Sequence, residues 1–282
     1  MLILIILLNH TKLKYEYKKN MNKFIPKKKF GQNFLKNKEI IKKIIFFIQP
    51  KKNNFLIEIG PGLGSLTIPI TKFKSTLFVI EIDNKLCIFL KKIFKNSKKI
   101  KIINSNILYF NYLEILNKNN INIENRIFGN LPYNICTKII LNLTKYNKYI
   151  LDMHFMVQYE VGCRIFAIPG SKFYGRLSVI LQYYYKIIPL MVIKSDNFFP
   201  KPKVNSYFIR FIPHKNKYPD VDVFKLKEIT KIAFSQRRKI IKNSLSKIFT
   251  NKIFVKLGID SNLRAQNLTV LDYCRLTYFF KI

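Results

Sequence analysis

Apolar and polar positions follow two alternating periods along most of the chain, and each change of period marks the border of a predicted element. Short apolar runs predict buried strands, at 55–59, 77–82, 99–103, 126–129, 149–157, 187–193 and 205–212. Apolar residues at helical spacing predict helices between them, at 37–48, 64–72, 83–95, 134–145 and 174–185. Strands and helices that alternate in this way predict an α/β fold, with a mostly parallel sheet covered by helices on both faces.

The pattern changes in the C-terminal part of the chain. From about Tyr218 onward strand signals stop and short helical segments follow, and Pro213 and Pro219 flank the predicted linker. We therefore expect one α/β domain at 27–213 and a small helical domain at 220–282.

The first eight residues, Met1 to Leu8, are all apolar and resemble the hydrophobic part of a secretion signal. No basic stretch precedes them, no small-residue cleavage site follows, and the run is too short to span a bilayer. We expect neither secretion nor membrane insertion. Residues 1–26 are predicted to form a disordered extension to a cytoplasmic protein.

Composition changes this picture mainly through charge. The chain has 51 Lys and Arg against 15 Asp and Glu, which gives a formal net charge of +36 and favours a polyanionic partner such as nucleic acid. The residues that dominate the sequence are also those favoured by A/T-rich codons, so mutational bias is an alternative source of part of the charge. A hydrophobic content of 49% excludes general disorder.

Cysteine and histidine positions give no sign of a metal site. The cysteines form no C-x-x-C pair and lie near no histidine cluster, at positions Cys87, Cys136, Cys163 and Cys274. We predict neither a zinc site nor a disulfide framework, and a reducing compartment fits this usage.

Glycines at the junction of the first strand and first helix indicate a cofactor-binding turn. Gly60, Gly62 and Gly64 have G-x-G-x-G spacing, which differs from the dinucleotide pattern G-x-G-x-x-G, and no Lys-Ser/Thr pair of a phosphate-binding loop follows. Glu81 lies at the end of the second strand, where a carboxylate can accept hydrogen bonds from both ribose hydroxyls of an adenosine group. Together these features favour a nucleoside cofactor.

The loop Asn130-Leu131-Pro132-Tyr133 follows a buried strand, where open α/β sheets bind ligands. The Asn130 amide oxygen and the Leu131 carbonyl can both accept hydrogen bonds from a flat exocyclic amine. Pro132 stiffens the turn, and Tyr133 offers an aromatic face for stacking. With the glycine turn and Glu81, this loop predicts methyl transfer from S-adenosylmethionine to a base amine.

Eight ordered motifs carry a resemblance to a known family. From about Phe30 to Phe280 the chain resembles the small-subunit ribosomal RNA adenine dimethyltransferases. The matching motifs are FGQNFL (30–35), EIGPGLGSLT (58–67), VIEID (79–83), FGNLPYNI (128–135), DMHFMVQYEV (152–161), YGRLSV (174–179), FFPKPKVNS (198–206) and AFSQRRKIIKNSL (233–245). The resemblance implies a Rossmann-like S-adenosylmethionine methyltransferase sheet with a small all-α C-terminal domain. It also implies dimethylation of two adjacent adenosines near the 3′ end of small-subunit rRNA.

The resemblance implies roles for individual residues as well. Tyr133 and Phe198 would hold the flipped adenine between their rings, and Asn130 would bridge base and cofactor. The expected cofactor-binding residues are Asn33, Leu35, Gly60, Gly62, Glu81, Asn106 and Asn130.

Asn106 departs from the family pattern, which usually places Asp there to accept a hydrogen bond from the adenine amine of the cofactor. An asparagine still offers a carbonyl oxygen but no charge, so we expect cofactor binding to be weaker by about 1 kcal/mol.

The basic motif near residue 237 completes the implied RNA contacts. Its cations are predicted to bind phosphates from one helix face, through Arg237, Arg238, Lys239 and Lys242. The implied partner is small-subunit rRNA within an immature 30S particle, and nothing in the sequence requires more than a monomer.

Two alternatives stay open at this point. One is the related large-subunit dimethyltransferase of antibiotic resistance, which shares the N-L-P-Y-type loop and the glycine turn. The other is an RNA-binding assembly factor that has lost its chemistry, a reading that Asn106 favours and that intact Asn130, Tyr133, Gly60 and Glu81 oppose.

Overall fold

The structure is a computed structural model that describes residues 24–116 and 123–280. Most of the predicted 1–26 extension lies outside these residues. Its last three residues are described, and the Phe24 ring packs edge-on against Phe34 with 5.7 Å between ring centroids. Phe24 therefore belongs to the folded part of the chain.

The described residues contain strands that match the predicted apolar runs closely and two short strands that were not predicted. In chain order they are β1 (Phe34–Leu35), β2 (Asn54–Ile59), β3 (Thr76–Glu81), β4 (Ile100–Asn104), β5 (Glu124–Asn130), β6 (Asp152–Gln158), β7 (Tyr185–Ile193), β8 (Phe198–Phe199) and β9 (Ser206–Pro213).

Helices occupy the segments between the strands and all of the regular structure after β9. The α-helices are Lys38–Ile48, Thr67–Ile70, Asn84–Ile93, Cys136–Leu143, Tyr159–Ile165, Arg176–Tyr184, Val223–Ser235, Ile241–Ser244, Asn251–Leu257 and Val270–Thr277. Short 3₁₀ helices are Lys28–Phe30, Thr71–Phe73, Tyr112–Glu114, Thr144–Tyr149, Ser195–Asn197 and Ala265–Asn267. Helix Tyr159–Ile165 was not predicted.

The main sheet has seven strands in the order β4-β3-β2-β5-β6-β9-β7. The four pairings β3–β4, β2–β3, β2–β5 and β5–β6 are parallel, which confirms the predicted α/β fold. The chain runs outward from β2 through β3 to β4 and then returns to place β5 on the other side of β2. The carboxyl ends of β2 and β5 thus form a topological switch point, where open α/β sheets bind ligands.

The central strands β2, β3, β5 and β6 are almost entirely buried, because both of their faces are covered. Leu56, Val79 and Phe128 in neighbouring strands are fully buried, as expected for parallel strands of continuous apolar sequence. Helix Lys38–Ile48 buries Ile44, Ile45 and Ile48 against this core. The side chain of Asn37 accepts hydrogen bonds from the backbone amides of Glu39 and Ile40, which caps the helix at its start.

The chain divides into two compact units. The first comprises the described residues up to Gln158 together with Leu190–Phe208, and the second comprises Tyr159–Pro189 and the described residues from Ile209 onward. In the second unit, helix Val223–Ser235 packs against helices Arg176–Tyr184 and Val270–Thr277. The border predicted from the sequence, at 213–220, therefore falls inside this unit. Among the residues that the structure describes, no helix combines the length and the apolar character needed to cross a bilayer.

A buried ion pair connects β5 and β6 near their amino ends. The Arg126 guanidinium donates to both carboxylate oxygens of Asp152, at 2.7 and 2.8 Å, and both side chains are buried. Arg126 also donates to the backbone carbonyl of Gln49 and to the side chain of Asn54. One cation thus connects the strands β2, β5 and β6 and the end of helix Lys38–Ile48.

We expect Arg126→Met to lower the free energy of unfolding by about 3–5 kcal/mol, because it leaves the buried Asp152 carboxylate without its cation. Urea unfolding followed by circular dichroism measures this change. The matched control is Lys42→Met, which removes the exposed ion pair with Glu39 and should alter stability by no more than about 0.5 kcal/mol. Equal losses in the two variants would contradict the assignment.

Candidate active site

A cleft opens at the switch point, and its wall brings together residues that lie far apart in sequence. The predicted site residues that line it are Asn33, Leu35, Gly60, Gly62, Glu81, Asn106, Asn130, Leu131, Pro132 and Tyr133. They come from separate segments that follow different strands or precede the first helix. The fold rather than sequence proximity therefore assembles the site.

The glycine turn after β2 needs both the conformation and the small size of glycine. Gly60 and Gly62 have φ values of +66° and +59°, in the left-handed region that L side chains rarely adopt. A Cβ atom at Gly62 would lie 2.8 Å from Cδ1 of Phe34. The turn can therefore pack under the 30–35 segment only without a side chain at Gly62.

Glu81, at the end of β3, is joined to the glycine turn by a hydrogen bond. Its Oε2 accepts from the backbone amide of Gly62 at 3.3 Å, and Oε1 accepts from the amide of Asp83 at 2.9 Å. Burial raises the pKa of the Glu81 carboxyl, and these two backbone hydrogen bonds oppose the shift. A carboxylate has about four lone-pair sites, so two remain for ligand hydroxyls.

Glu58 is a second buried carboxyl on the cleft wall, and the sequence reasoning gave it no role. Its Oε2 accepts a hydrogen bond from the Thr67 hydroxyl at 2.6 Å. Burial raises the pKa of Glu58 to about 8, the Thr67 hydrogen bond opposes the shift, and the nearby Glu81 carboxylate adds to it. The available signal was an acidic residue inside an apolar strand, directly before a glycine turn.

An anchored segment, residues 27–35, forms another side of the cleft. Asp83 accepts hydrogen bonds from Lys27 Nζ at 2.7 Å and from Gln32 Nε2 at 3.0 Å, and it also caps helix Asn84–Ile93 through the Lys85 amide. Burial would raise the pKa of Asp83, but the hydrogen bonds from Lys27, Gln32 and Lys85 together lower it. An ionised Asp83 thus holds the segment beside the glycine turn. The sequence reasoning missed Lys27, Gln32 and Asp83.

The orientation of the Asn130 amide is fixed by the same segment. Asn130 Nδ2 donates to the backbone carbonyl of Asn33 at 2.7 Å. Because a carbonyl can only accept, the amino side of the amide must face Asn33, and Oδ1 is left as an acceptor. Asn130 therefore has the polarity needed to accept a hydrogen bond from an amine.

The remainder of the 130–133 loop is held by hydrogen bonds on both sides. The Leu131 amide donates to the carbonyl of Met156 at 3.3 Å, and the Ile135 amide donates to the carbonyl of Pro132 at 3.1 Å. The Tyr133 hydroxyl shares a 2.5 Å hydrogen bond with Ser206 Oγ. Burial raises the pKa of Tyr133, so the phenol stays protonated and available for this contact. Ser206, which the sequence reasoning did not single out, positions the Tyr133 ring.

Phe198 does not have the position expected from the sequence. It is only 1% exposed and belongs to the apolar core with Leu35 and Phe208, whereas the neighbouring Phe199 is 43% exposed. The cause is the short antiparallel pairing of β1 with β8, in which Leu35 lies opposite Phe198 and Phe34 opposite Phe199. As placed, Phe198 packs in the core and does not line the cleft, and its stacking role stays a prediction.

Asn106 lies on the cleft wall, but its amide oxygen already has a partner. Oδ1 accepts a hydrogen bond from the backbone amide of Leu108 at 3.1 Å. The Leu108 amide uses one of the two acceptor sites of this oxygen, and the predicted contact with the adenine amine of the cofactor stays a prediction. The side chain closes a local turn, a common role of asparagine in loops.

The predicted basic residues lie in the second unit: Arg237, Arg238 and Lys239 lie in the turn after helix Val223–Ser235, and Lys242 lies in the short helix Ile241–Ser244. The Arg237 guanidinium donates to the backbone carbonyls of Lys172 and Tyr174, each at 3.0 Å. Lys242 donates to Asn262 Oδ1 at 3.0 Å. Arg238 and Lys239 are exposed. Arg237 thus has a structural contact, and Arg238 and Lys239 are the cations directed to solvent.

The residues that the structure describes contain no group of three or more His, Cys, Asp or Glu side chains that could hold a metal ion. The four cysteines are free and buried.

Comparisons with known proteins point to one family. The family model described as ribosomal RNA adenine dimethylase matches residues 23–281. A "Ribosomal RNA small subunit methyltransferase A" from Buchnera aphidicola subsp. Schizaphis graminum is 49% identical and covers 93% of this chain and 95% of that relative. The protein of the same name from Wigglesworthia glossinidia brevipalpis is 47% identical over 89% of this chain and 96% of its own length.

Two solved structures share the fold. A dimethyladenosine transferase from Plasmodium falciparum has a TM-score of 0.71 at 22% identity and covers 86% of this chain and 95% of its own. The 23S rRNA methyltransferase ErmE has a TM-score of 0.67 at 18% identity and covers 88% of this chain and 99% of its own. The similarity to these two structures supports the Rossmann-like fold that the sequence predicts.

We expect Gly62→Ala to abolish binding of an adenosine ligand, because its Cβ would displace the Phe34 ring at the floor of the cleft. The matched control is Gly258→Ala, which also has a positive φ, of +65°, but has nothing within 4 Å of its Cβ. Both variants should lose about 1 kcal/mol of stability from backbone strain. Only the first should lose affinity for S-adenosylhomocysteine, measured by calorimetry, and unchanged affinity in Gly62→Ala would count against this site.

Glu58 predicts a pH dependence of stability. The folded state keeps the proton up to a pKa of about 8, whereas the ordinary value is 4.5. Stability from this group is therefore fully present below the ordinary pKa and is lost as pH rises through about 8. Glu58→Gln should lose less free energy of unfolding between pH 5 and pH 8 than the parent chain, while the exposed Glu114→Gln should behave like the parent. Parallel curves for parent and Glu58→Gln would refute the shift.

Proposed function

We propose a specific reaction for this chain, which belongs to the ribosomal RNA adenine dimethylase family. It transfers methyl groups from S-adenosylmethionine to the exocyclic amines of two adjacent adenosines in a loop near the 3′ end of small-subunit rRNA. The observation that carries the proposal is the Asn130 amide, whose hydrogen bond to the Asn33 carbonyl leaves its oxygen as an acceptor at the switch point of the sheet.

The cleft fits the proposed cofactor. Gly60 and Gly62 leave room for a ligand to approach the backbone, and Glu81 has lone pairs for the ribose hydroxyls. Asn33, Leu35 and Asn106 line the same cleft and complete the proposed binding set. When bound, S-adenosylmethionine supplies an electrophilic methyl carbon. The role of the protein is to hold the acceptor amine in line with that carbon.

Catalysis would come from positioning and polarity and not from a strong base. The lone pair of an adenine amine is delocalised into the ring, which makes the nitrogen a weak nucleophile. Asn130 Oδ1 and the Leu131 carbonyl can accept its two hydrogens and favour a pyramidal nitrogen with a localised lone pair. Preorganised acceptors of this kind act without rearranging during the reaction. The hydrogen bonds of Asn130 to Asn33 and of Leu131 to Met156 supply that preorganisation.

An adenine must leave its stack to reach the cleft, at a cost of a few kcal/mol. The Tyr133 ring is the proposed stacking surface that offsets part of this cost. Its hydroxyl is held by Ser206 and its loop is stiffened by Pro132, so the ring is oriented before the base arrives. Ser206 therefore acts as a positioning residue for Tyr133.

Phosphate contacts are proposed for the exposed Arg238 and Lys239, with Arg237 and Lys242 in the same region. The net charge of +36 supports an rRNA partner. Relatives named as small-subunit methyltransferases support rRNA of the small subunit as the substrate. We propose that the chain meets this rRNA within an immature 30S particle. We further propose that the chain acts as a monomer in the cytoplasm.

Asn130→Ala tests the reaction. With unmethylated small subunits and labelled S-adenosylmethionine, methyl incorporation should fall about 100- to 1000-fold, because a preorganised acceptor is lost. Asn125→Ala is the matched control: Asn125 lies at the opposite end of β5 and donates the same kind of bond, 2.8 Å to the Tyr149 carbonyl. The folded control protein should keep its rate.

The outcomes of this assay separate the alternatives. Equal incorporation by parent and Asn130→Ala would remove the proposed role of the amide. Transfer to large-subunit rRNA alone would favour the resistance-type enzyme. If the parent chain binds rRNA but has no affinity for S-adenosylhomocysteine by calorimetry, the assembly-factor alternative wins.

A further inference from the structure

Asn106 occupies the part of the cleft that would hold the purine of the cofactor. It follows β4, the strand next to β3, and lines the cleft with Ser105 and Ile107. If Glu81 at the end of β3 binds the ribose, as the proposed function requires, the base extends toward the end of β4. This inference rests on the proposed function in that respect.

The polarity of the Asn106 amide is fixed by its backbone contact. The Leu108 amide donates to Asn106 Oδ1 at 3.1 Å, and a backbone N–H can only donate, so the oxygen must face Leu108. Within residues 24–116 and 123–280, Nδ2 has no hydrogen-bond partner. The Asn106 backbone carbonyl also has a partner, because it accepts from the Tyr109 amide at 3.1 Å. One of the two lone pairs of Oδ1 is therefore used by Leu108, and the part of the Asn106 side chain left without a partner among the described residues is its amino group.

We propose that Asn106 presents its amino group to the purine, so that this chain does not use the exocyclic amine of the cofactor's base for recognition. That amine is itself a hydrogen-bond donor, and two donors that face each other leave both unpaired. A carboxylate at this position would behave differently. One oxygen would accept from Leu108, and the other would accept from the purine amine. Asn106 thus determines specificity at position 6 of the cofactor's base.

The test compares two ligands on two proteins. The ligands are S-adenosylhomocysteine and the analogue in which hydrogen replaces the amino group at position 6 of the purine, and the proteins are the full parent chain and Asn106→Asp. In the parent, removal of the amine should change affinity less than about 3-fold, because the proposal leaves that amine without a hydrogen bond to Asn106. In Asn106→Asp it should weaken binding about 10-fold or more, and this variant should bind S-adenosylhomocysteine about 10-fold more tightly than the parent.

Asn111→Asp is the matched control. Asn111 accepts a hydrogen bond from the amide two residues further on, Leu113, at 3.1 Å, the same local contact that Asn106 makes. It is exposed and does not line the cleft. The substitution adds the same charge to the protein, so it should reproduce the ligand preferences of the parent. Ser105, which could also face the base, is unchanged in all three proteins.

Each pattern of ligand affinities either supports or overturns the inference about Asn106. The same large loss of affinity on removal of the amine in parent and Asn106→Asp would show that the amide turns its oxygen to the base, and would overturn this inference alone. No binding of either ligand to any of the proteins would overturn the proposed cofactor and this inference with it. A parent insensitive to the amine beside a sensitive Asn106→Asp supports the inference.

Discussion

The close approach of β5 to β2 at Gly129 is the constraint on which the site depends. A Cβ atom at Gly129 would lie 2.3 Å from the backbone oxygen of Ile59, so only glycine lets the two strands pair so closely at their carboxyl ends. Asn130, the last residue of β5, follows directly, and a Cβ atom at Gly60 would lie 3.7 Å from the backbone oxygen of Asn130. The cofactor turn and the 130–133 loop are thereby adjacent, and a bulkier residue at Gly129 would separate them.

The pKa values of three acidic residues around this junction are shifted differently, because their partners differ. Asp83 has a cation, Lys27, and its pKa is lowered. Glu58 has only a hydroxyl partner, and burial raises its pKa to about 8. Glu81 lies between these cases, with a raised pKa and two backbone donors. Asp83 thus keeps its negative charge paired with Lys27. The raised pKa of Glu58 limits the repulsion between the Glu58 and Glu81 carboxyls on the cleft wall.

Local patterns predicted the parts of the molecule that depend on local sequence. Long apolar runs gave the sheet strands, and the glycine turn, Glu81 and the 130–133 loop were recognised because their chemistry is carried by consecutive residues. Phe198 could not be placed, because its direction is set by pairing with Leu35, more than a hundred residues away, in strands of two residues each. The contacts of Arg237 could not be predicted for a similar reason, since the carbonyls of Lys172 and Tyr174 that accept its hydrogen bonds are remote in sequence.

Two of the asparagines that line the cleft show most clearly what a sequence cannot state. Asn130 and Asn106 have the same side chain, with one acceptor and one donor end. Asn130 gives its donor end to the Asn33 carbonyl and keeps the oxygen, whereas Asn106 gives its oxygen to the Leu108 amide and keeps the donor. The backbone partner, and not the residue type, therefore decides whether each one offers an acceptor or a donor to a ligand. Two backbone hydrogen bonds therefore set which amide groups these side chains leave available to a ligand in the cleft.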